Sequence, residues 1–436
     1  MQNSLFEIHV EWLPKQSSLS PDARLARISI VLNGVFLTKN TNLFDNTQPD
    51  FLVAAPYPMA LWFLDNWWRL CFEPTPDLPT TDWRMSHVLS AAGFGYSWPT
   101  IGFQSDSQNI TISSIPTLSA DVGSARFCNA YTSSIPLDTF ATTIFSFIKN
   151  CLLHAADADL NAIYTAIQSE QADIELACYR TLEAMLGFDA GQGNEDRLTH
   201  LLHLALEYDT QTVRELSRFL YDRPALEQEM QAVRKGEIGS TMDISSLNLD
   251  SLQVEQTLHP WDTGYALAQQ VRCLWQLNGP VSNETLCERV SLQAKELDRA
   301  DRDDALGLGV RREDALFSFT FAKRSRASTR FMFARALCDA ILSRKGHGDF
   351  LTMTPSKTAR QKMQRAFAAE LLCPILDILQ ETDSVNDKDA IDFLAEKYGV
   401  NARLVESQLA NHGYGQRARE RKLWFPETVL ETVGCA

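Results

Sequence analysis

The chain has 436 residues, of which 45% are hydrophobic and 22% charged. That ordinary globular balance excludes disordered and fibrous classes, and at roughly 100–200 residues per domain it suggests two to four domains. Forty basic against 55 acidic side chains leave a formal net charge of −15. The chain as a whole is therefore no nonspecific polyanion binder, although a local patch can still be basic.

Residues Met1 to Trp12 hold no basic start followed by an apolar core, so no secretory signal is expected. The longest apolar stretch, Phe51 to Leu64, is interrupted by Pro56 and Pro58 and stopped by Asp65. It falls short of the roughly 20 residues that a membrane span needs. The nine cysteines are scattered and form no C-x-x-C pair. Reduced, buried thiols in the cytoplasm are expected, rather than disulfides or a thiolate metal site.

Residues 1–140 read as strands and turns with one helix. Asn33-Gly34 between two apolar runs predicts a hairpin, and Thr100–Gln104 with Asn109–Ser113 predicts a second pair around Ser105-Asp106-Ser107. Apolar residues at helical spacing predict a helix from Pro58 to Phe72, ending before Pro74. Residues 141–235 read as an all-helical middle. Helices are expected from Leu137 to Leu153, as one or two between Asp159 and Leu186, from Asp196 to Tyr208 and from Thr210 to Leu220. Residues 236–260 are polar with Gly and Ser and read as a linker. The third domain, 261–436, is expected to hold helices from Tyr265 to Leu277 and after Ser282, and a strand over Ala315–Phe321. Further helices are expected over Thr329–Leu342 and over Lys357–Leu379 with an interruption near Pro374. A helix pair over Asp389–Tyr398 and Ala402–Leu409 closes the domain.

Common catalytic patterns are missing. There is no G-x-S-x-G, P-loop or dinucleotide glycine motif. His200 and His203 lie among leucines on one predicted helix, which suits a packed face. Trp62, Trp67, Trp68, Trp83 and Trp98 either form a core or offer stacking surfaces. Charge, however, is uneven. Lys323, Arg324, Arg326, Arg330, Arg335, Arg344, Lys345, Lys357, Arg360, Lys362 and Arg365 face only Asp339 and Asp349 in their window, while residues 1–300 carry an acidic excess. Such a window points to DNA or RNA, or to an acidic protein face.

The run Arg330-Phe-Met-Phe-Ala-Arg-Ala-Leu-Cys-Asp-Ala-Ile-Leu342 resembles the metal helix of the ImmA/IrrE family of zinc metallopeptidases, roughly R-F-x-x-A-H-E-L-G-H-x-x-L. Arg365-Ala-Phe-Ala-Ala-Glu-Leu-Leu-Cys-Pro374 is similar to that family's A-N-x-F-A-A-x-L-L-M-P segment. Ala390–Val400 with Leu404–Leu409 resembles its trailing helical pair, and Ala266–Val290 its opening helices. The likeness covers about residues 262–415. It implies a zincin-like, mostly helical domain with a small sheet, in a bacterial or phage setting of stress response, mobile-element control or defence.

Zinc hydrolysis on a helix needs His at i and i+4 and a Glu beside the first. Here those positions hold Arg335, Asp339 and Ala336, and the third-ligand position falls on Met363. The expected fold is α+β, with no catalytic residue, metal or cofactor. The expected function is that of an inactive pseudo-peptidase acting as a regulatory or assembly subunit with a protein partner and no membrane. Two alternatives stay open. One is a nucleic-acid-binding subunit that uses the 323–365 cations; the other is a metallopeptidase with an unrecognised metal site. Arg335 and Asp339, four apart, either bridge the former cleft or form an exposed helical pair.

Overall fold

The chain opens with strands, where apolar and polar residues alternate. The computed structural model describes residues 5–14, 23–117, 125–155, 157–247, 251–254, 257–294, 297, 306–313, 315–321, 326–344, 350–381 and 387–414. Strand β1 (Phe6–Trp12) pairs antiparallel with β2 (Ala26–Leu32). Asn33 and Gly34 take left-handed conformations, φ 48° and 80°, and turn the chain into β3 (Val35–Phe36) as the sequence predicts. Two consecutive positive φ values make the primed turn that fits strand twist, and Asn-Gly adopts it at least cost. β4 (Asn40–Asn42) and β5 (Leu52–Ala54) follow, the latter pairing with β2.

The predicted helix over Pro58–Phe72 is two helices, α1 (Pro56–Asp65) and α2 (Trp67–Phe72). Asn66 separates them, its backbone N–H and its side-chain amide both donating to the Trp62 carbonyl. Asparagine competes for backbone partners in this way and weakens a helix interior. After α3 (Thr81–His87), strands β6 (Thr100–Ser105), β7 (Asn109–Ile115), β8 (Ala125–Phe127) and β9 (Tyr131–Pro136) form. β6, β7 and β9 make one antiparallel sheet, and β8 pairs with β4. Helices α4 (Leu137–Ala155), α5 (Ala158–Ala172), α6 (Ile174–Met185) and α7 (Glu195–Glu207) complete the N-terminal half.

The molecule divides into two units, 1–202 and 203–436, with the boundary inside α7. The expected border near residue 140 is not one. Phe140, Ile144, Ile148, Leu160 and Ile167 on α4 and α5 share a single apolar core with Phe6, Ile28, Phe63 and Phe103. Trp62, Trp67, Trp68, Trp83 and Trp98 are all buried, which settles their role as core.

After the last turns of α7, the second unit continues with α8 (Thr210–Asp222), α9 (Leu226–Lys235) and β10 (Ser240–Asp243). Residues 236–260 are not a linker: β10 pairs with a central strand, and Met242, Ile244, Leu247 and Leu252 enter the core. Then come α10 (Pro260–Trp275), α11 (Asn283–Arg289), β11 (Gly307–Arg311), β12 (Leu316–Phe321), α12 (Arg326–Arg344) and β13 (Phe350–Met353). α13 (Ala359–Leu372), α14 (Ile375–Glu381), α15 (Lys388–Tyr398) and α16 (Ala402–Asn411) end the described chain. The sheet order is β10-β12-β11-β13, all antiparallel.

The fold is α+β in both halves. Gly264 lets α10 cross α13 closely, since a Cβ there would stand 2.4 Å from the Met363 carbonyl oxygen. Residues 332–343 of α12 are buried without a break, so that helix has no solvent face along this stretch. No helix among the described residues is long and apolar enough to cross a membrane.

Candidate functional site

A helix buried on every side has to satisfy whatever charge it carries. Arg335 and Asp339 of α12 are 5% and 0% exposed, and they share one face. An unpaired buried charge is very costly, so each needs partners. They do not pair with each other as a helical ion pair. Asp339 is held from α13 by Arg360, whose Nε donates to Oδ1 and Nη2 to Oδ2, both at 2.8 Å. The backbone N–H of Thr352 on β13 adds a third bond at 2.8 Å. Arg360 Nη2 also donates to the Phe350 carbonyl at 2.7 Å.

Arg335 takes a separate set. It donates to the Thr354 carbonyl at 2.8 Å, to Gln361 Oε1, and to Gln364 Oε1 at 3.2 Å. The two amide nitrogens, Gln361 Nε2 and Gln364 Nε2, both donate to the Thr352 carbonyl, at 2.8 and 3.0 Å. The result bridges α12, α13 and β13. The bridging expected of an Arg335–Asp339 pair is thus performed by Arg360 and two glutamines instead.

The electrostatics follow from dryness. Burial, helped by the nearby Arg365 charge, pulls Arg335 below its ordinary range, against the opposing carboxylates of Asp339 and Glu215. Burial opposes the charge on Arg360 too, but the Asp339 carboxylate and its hydrogen bonds outweigh it and leave Arg360 raised. Burial pushes Glu215 up, resisted by Arg360 and by the Thr358 hydroxyl. The Cys338 thiol is driven far up by burial and is chemically inert there.

Zinc wants three or four N, O or S ligands and, for hydrolysis, an open position. These residues do not fit it. Ala336 is a fully buried methyl, Asp339 is occupied by Arg360, and Met363 supplies only a thioether packed against the core. Two guanidinium groups would repel a cation. Glu370, buried on α13, is engaged elsewhere: it accepts from Gln269, Gln408 and the N–H of Ile375. Among the described residues no group of three His, Cys, Asp or Glu side chains could hold a metal ion.

The basic window is not one surface. Arg330 is buried and donates to the Val281 carbonyl and to Asn283 Oδ1, tying α12 to the start of α11. Arg330 and Arg360, expected as partner-binding cations, are therefore interior residues, because each satisfies an acceptor that the fold buries. Lys357, Lys362 and Arg365 are half-buried. Lys362 lies over the Trp261 ring at 5.9 Å, and Arg365 donates to the Ser356 carbonyl at 2.7 Å. Lys323, Arg324 and Lys345, and the side chains of Arg326 and Arg344, lie outside what the structure describes. The α15–α16 pair packs inward through Gln408, whose amide donates to Glu370 and to the Cys373 carbonyl.

A second charged cluster, which sequence reasoning missed, lies in the first unit. Arg69 on α2 is buried and donates to Glu73 at 2.7 Å, to Asp82 at 2.8 Å and to Asp189 at 2.9 Å. His87 stacks on Trp83 with ring centroids 4.2 Å apart, and its Nε2 lies 3.7 Å from Glu73. Burial raises Glu73 to about 7 and lowers His87 to about 4. The available signal was Arg69 and Glu73 at i, i+4, the first in a tryptophan-rich helix and the second at its C-cap. Glu215, Gln361 and Gln364 were also missed, since amides and a distant carboxylate follow no ligand spacing.

Comparison of the chain with protein-family models, with curated proteins and with solved structures gives no match.

Proposed function

We propose that the protein is a catalytically inactive ImmA/IrrE-like protein that works as a regulatory or assembly subunit, in a stress-response, mobile-element or phage-defence setting in the cytoplasm. The observation that carries this reading is the guanidinium–carboxylate–amide network of Arg335, Asp339, Arg360, Gln361 and Gln364. Its Arg335 and Asp339 stand at the two positions where the resemblance would put the helix's ligands. The helices α12 and α13, on which the two resembling segments lie, are tied by that network. Hydrolysis there would need a base beside the first ligand, and Ala336 has no proton to take or give. With chemistry gone, what such a domain has left to act with is its surface. The burial of Arg330 and Arg360 favours a protein partner over DNA or RNA, because it removes two cations from the proposed nucleic-acid face.

Metal analysis of the purified chain, with thermal unfolding before and after chelation, tests this. Substoichiometric zinc and an unchanged midpoint are expected. One zinc per chain, lost on chelation together with α12 structure, overturns the reading. Isolation from the native host at native levels tests the subunit role, and recovery of the chain alone counts against it.

A further inference from the structure

A strand can bond on two sides, and β1 of the first unit bonds to a strand on one. It pairs with β2 alone among the described strands. The bonds at its two ends, Leu13 N–H to the Leu25 carbonyl and Asn33 N–H to the Leu5 carbonyl, fix the alternation. Odd-numbered residues from Leu5 to Leu13 bond to β2, and the even ones turn their backbone groups outward. The outward carbonyl of Phe6 is met by the Thr143 hydroxyl of α4, at 3.1 Å. The N–H and C=O groups of Ile8, Val10 and Trp12 have no partner among the described residues.

Other edges are managed differently. The outward groups of β13 at Thr352 and Thr354 are met by side chains of α12 and α13. β6 is bridged by Pro74 and Val88. β9 has no further strand beside it, but Pro136 brings it no N–H. The edge of β1 is thus a template for one more strand. Its charges do not guard it as a like-charged row would. Glu7 lies 2.8 Å from His9, and Glu11 3.0 Å from Arg27 of β2.

Registers centred on Ile8, His9 or Val10 each bring outward residues of β1 against outward residues of a second copy's β1, antiparallel. The one centred on His9 sets Glu7 against Glu11 twice, which repels. The one centred on Ile8 calls on the Phe6 carbonyl, already taken, and leaves Trp12 out. The one centred on Val10 sets Ile8 against Trp12 and Val10 against itself, so every free group finds a free group. On one face it joins the half-buried side chains of Ile8, Val10 and Trp12. On the other it sets exposed His9 against exposed Glu11, twice.

We propose that β1 is a self-docking edge, through which two copies of this chain pair antiparallel about Val10 and join their sheets. The edge goes beyond the inactive-peptidase reading and does not depend on it, since it rests on the first unit alone.

Sedimentation equilibrium of the full chain over a concentration series tests this. The natural chain should be a dimer that dissociates on dilution. Val10→Pro removes an N–H that the chain's own sheet does not use, and should give a monomer that keeps its unfolding transition. His9→Glu, at an exposed position, sets carboxylate against carboxylate at both crossings and should weaken the dimer about tenfold. Adding Glu11→His to that variant should restore it. A natural chain that stays monomeric at every concentration overturns the proposal. So does a dimer that His9→Glu leaves unchanged, or one that the added Glu11→His fails to restore.

Discussion

Each unit buries an arginine, and the two surroundings differ in how wet they are. Arg69 has a side chain 3% exposed, but its partners Asp82 and Asp189 are 73% and 55% exposed, so the cluster opens to solvent on one side. Arg360 and Asp339 are 4% and 0% exposed and face only protein. The chemistry is the same and the energetics are not. In the wet cluster, water and salt take up much of any lost partner. In the dry one, each charge has its mate as the one opposite charge bonded to it, so the pair adds little net stability and yet is expensive to break. Pairs of the second kind define which helix faces meet. In this fold they join α12, β13 and α13.

The sharpest way to break this comparison is to remove one member of the dry pair. Asp339→Ala leaves Arg360 buried without its carboxylate and should cost about 3–5 kcal/mol in denaturant unfolding of the second unit. Adding Arg360→Met to that variant should recover most of the loss. If the double variant is no better than the single, the pair is not the cause.

The next largest effect separates the units by pH. His87 is held neutral by burial, with its folded value near 4 against 6.5 for the free side chain. Protons then bind the unfolded chain first, so stability is lost as pH falls from 6.5 to 4, on the order of 3 kcal/mol. Glu73, raised to about 7 from 4.5, works the other way and adds stability as pH falls through 7 towards 4.5. The two offset in the natural chain. Glu73→Gln should expose the His87 loss below pH 6.5, and His87→Asn the Glu73 gain below pH 7. Unfolding midpoints over pH 4–8 read both, and identical profiles for the two variants would discard this account of the cluster.

The smallest effect belongs to the exposed arm. Asp82→Ala removes a mostly hydrated carboxylate from Arg69 and should cost at most about 1 kcal/mol, less at high salt. A loss as large as that of Asp339→Ala would show that exposure does not govern these clusters.

Local signals in the sequence were read well. The Asn33-Gly34 turn, the start of α11 after Ser282 and the break at Pro374 all stand where short-range chemistry puts them. The strands β11 and β13 were not foreseen, and their glycines show why. Gly309 looks like a loop residue, but a Cβ there would come within 2.8 Å of the Ser318 carbonyl oxygen, so the glycine serves strand packing. The domain borders were misplaced for a related reason. Met242 and Ile244 lie in a polar stretch, and their place in a core shows only once β12 is beside them.

The candidate site was half legible. Arg335 and Asp339 stand out in the sequence as opposite charges four residues apart in an otherwise apolar stretch of their helix. Their partners do not stand out. Arg360 looked like one more cation in a basic run, and Glu215 lies 143 residues from the Thr358 hydroxyl that holds it.

Periodicity, capping and turn chemistry act over a few residues, and so the amino-acid order by itself set the helices and the hairpin. Which charges are dry, which carboxylate meets Arg360 and which glutamines bridge to β13 depend on segments far apart in the chain. Burial makes those pairings obligatory, and burial exists only after α8, α12, β13 and α13 have come together.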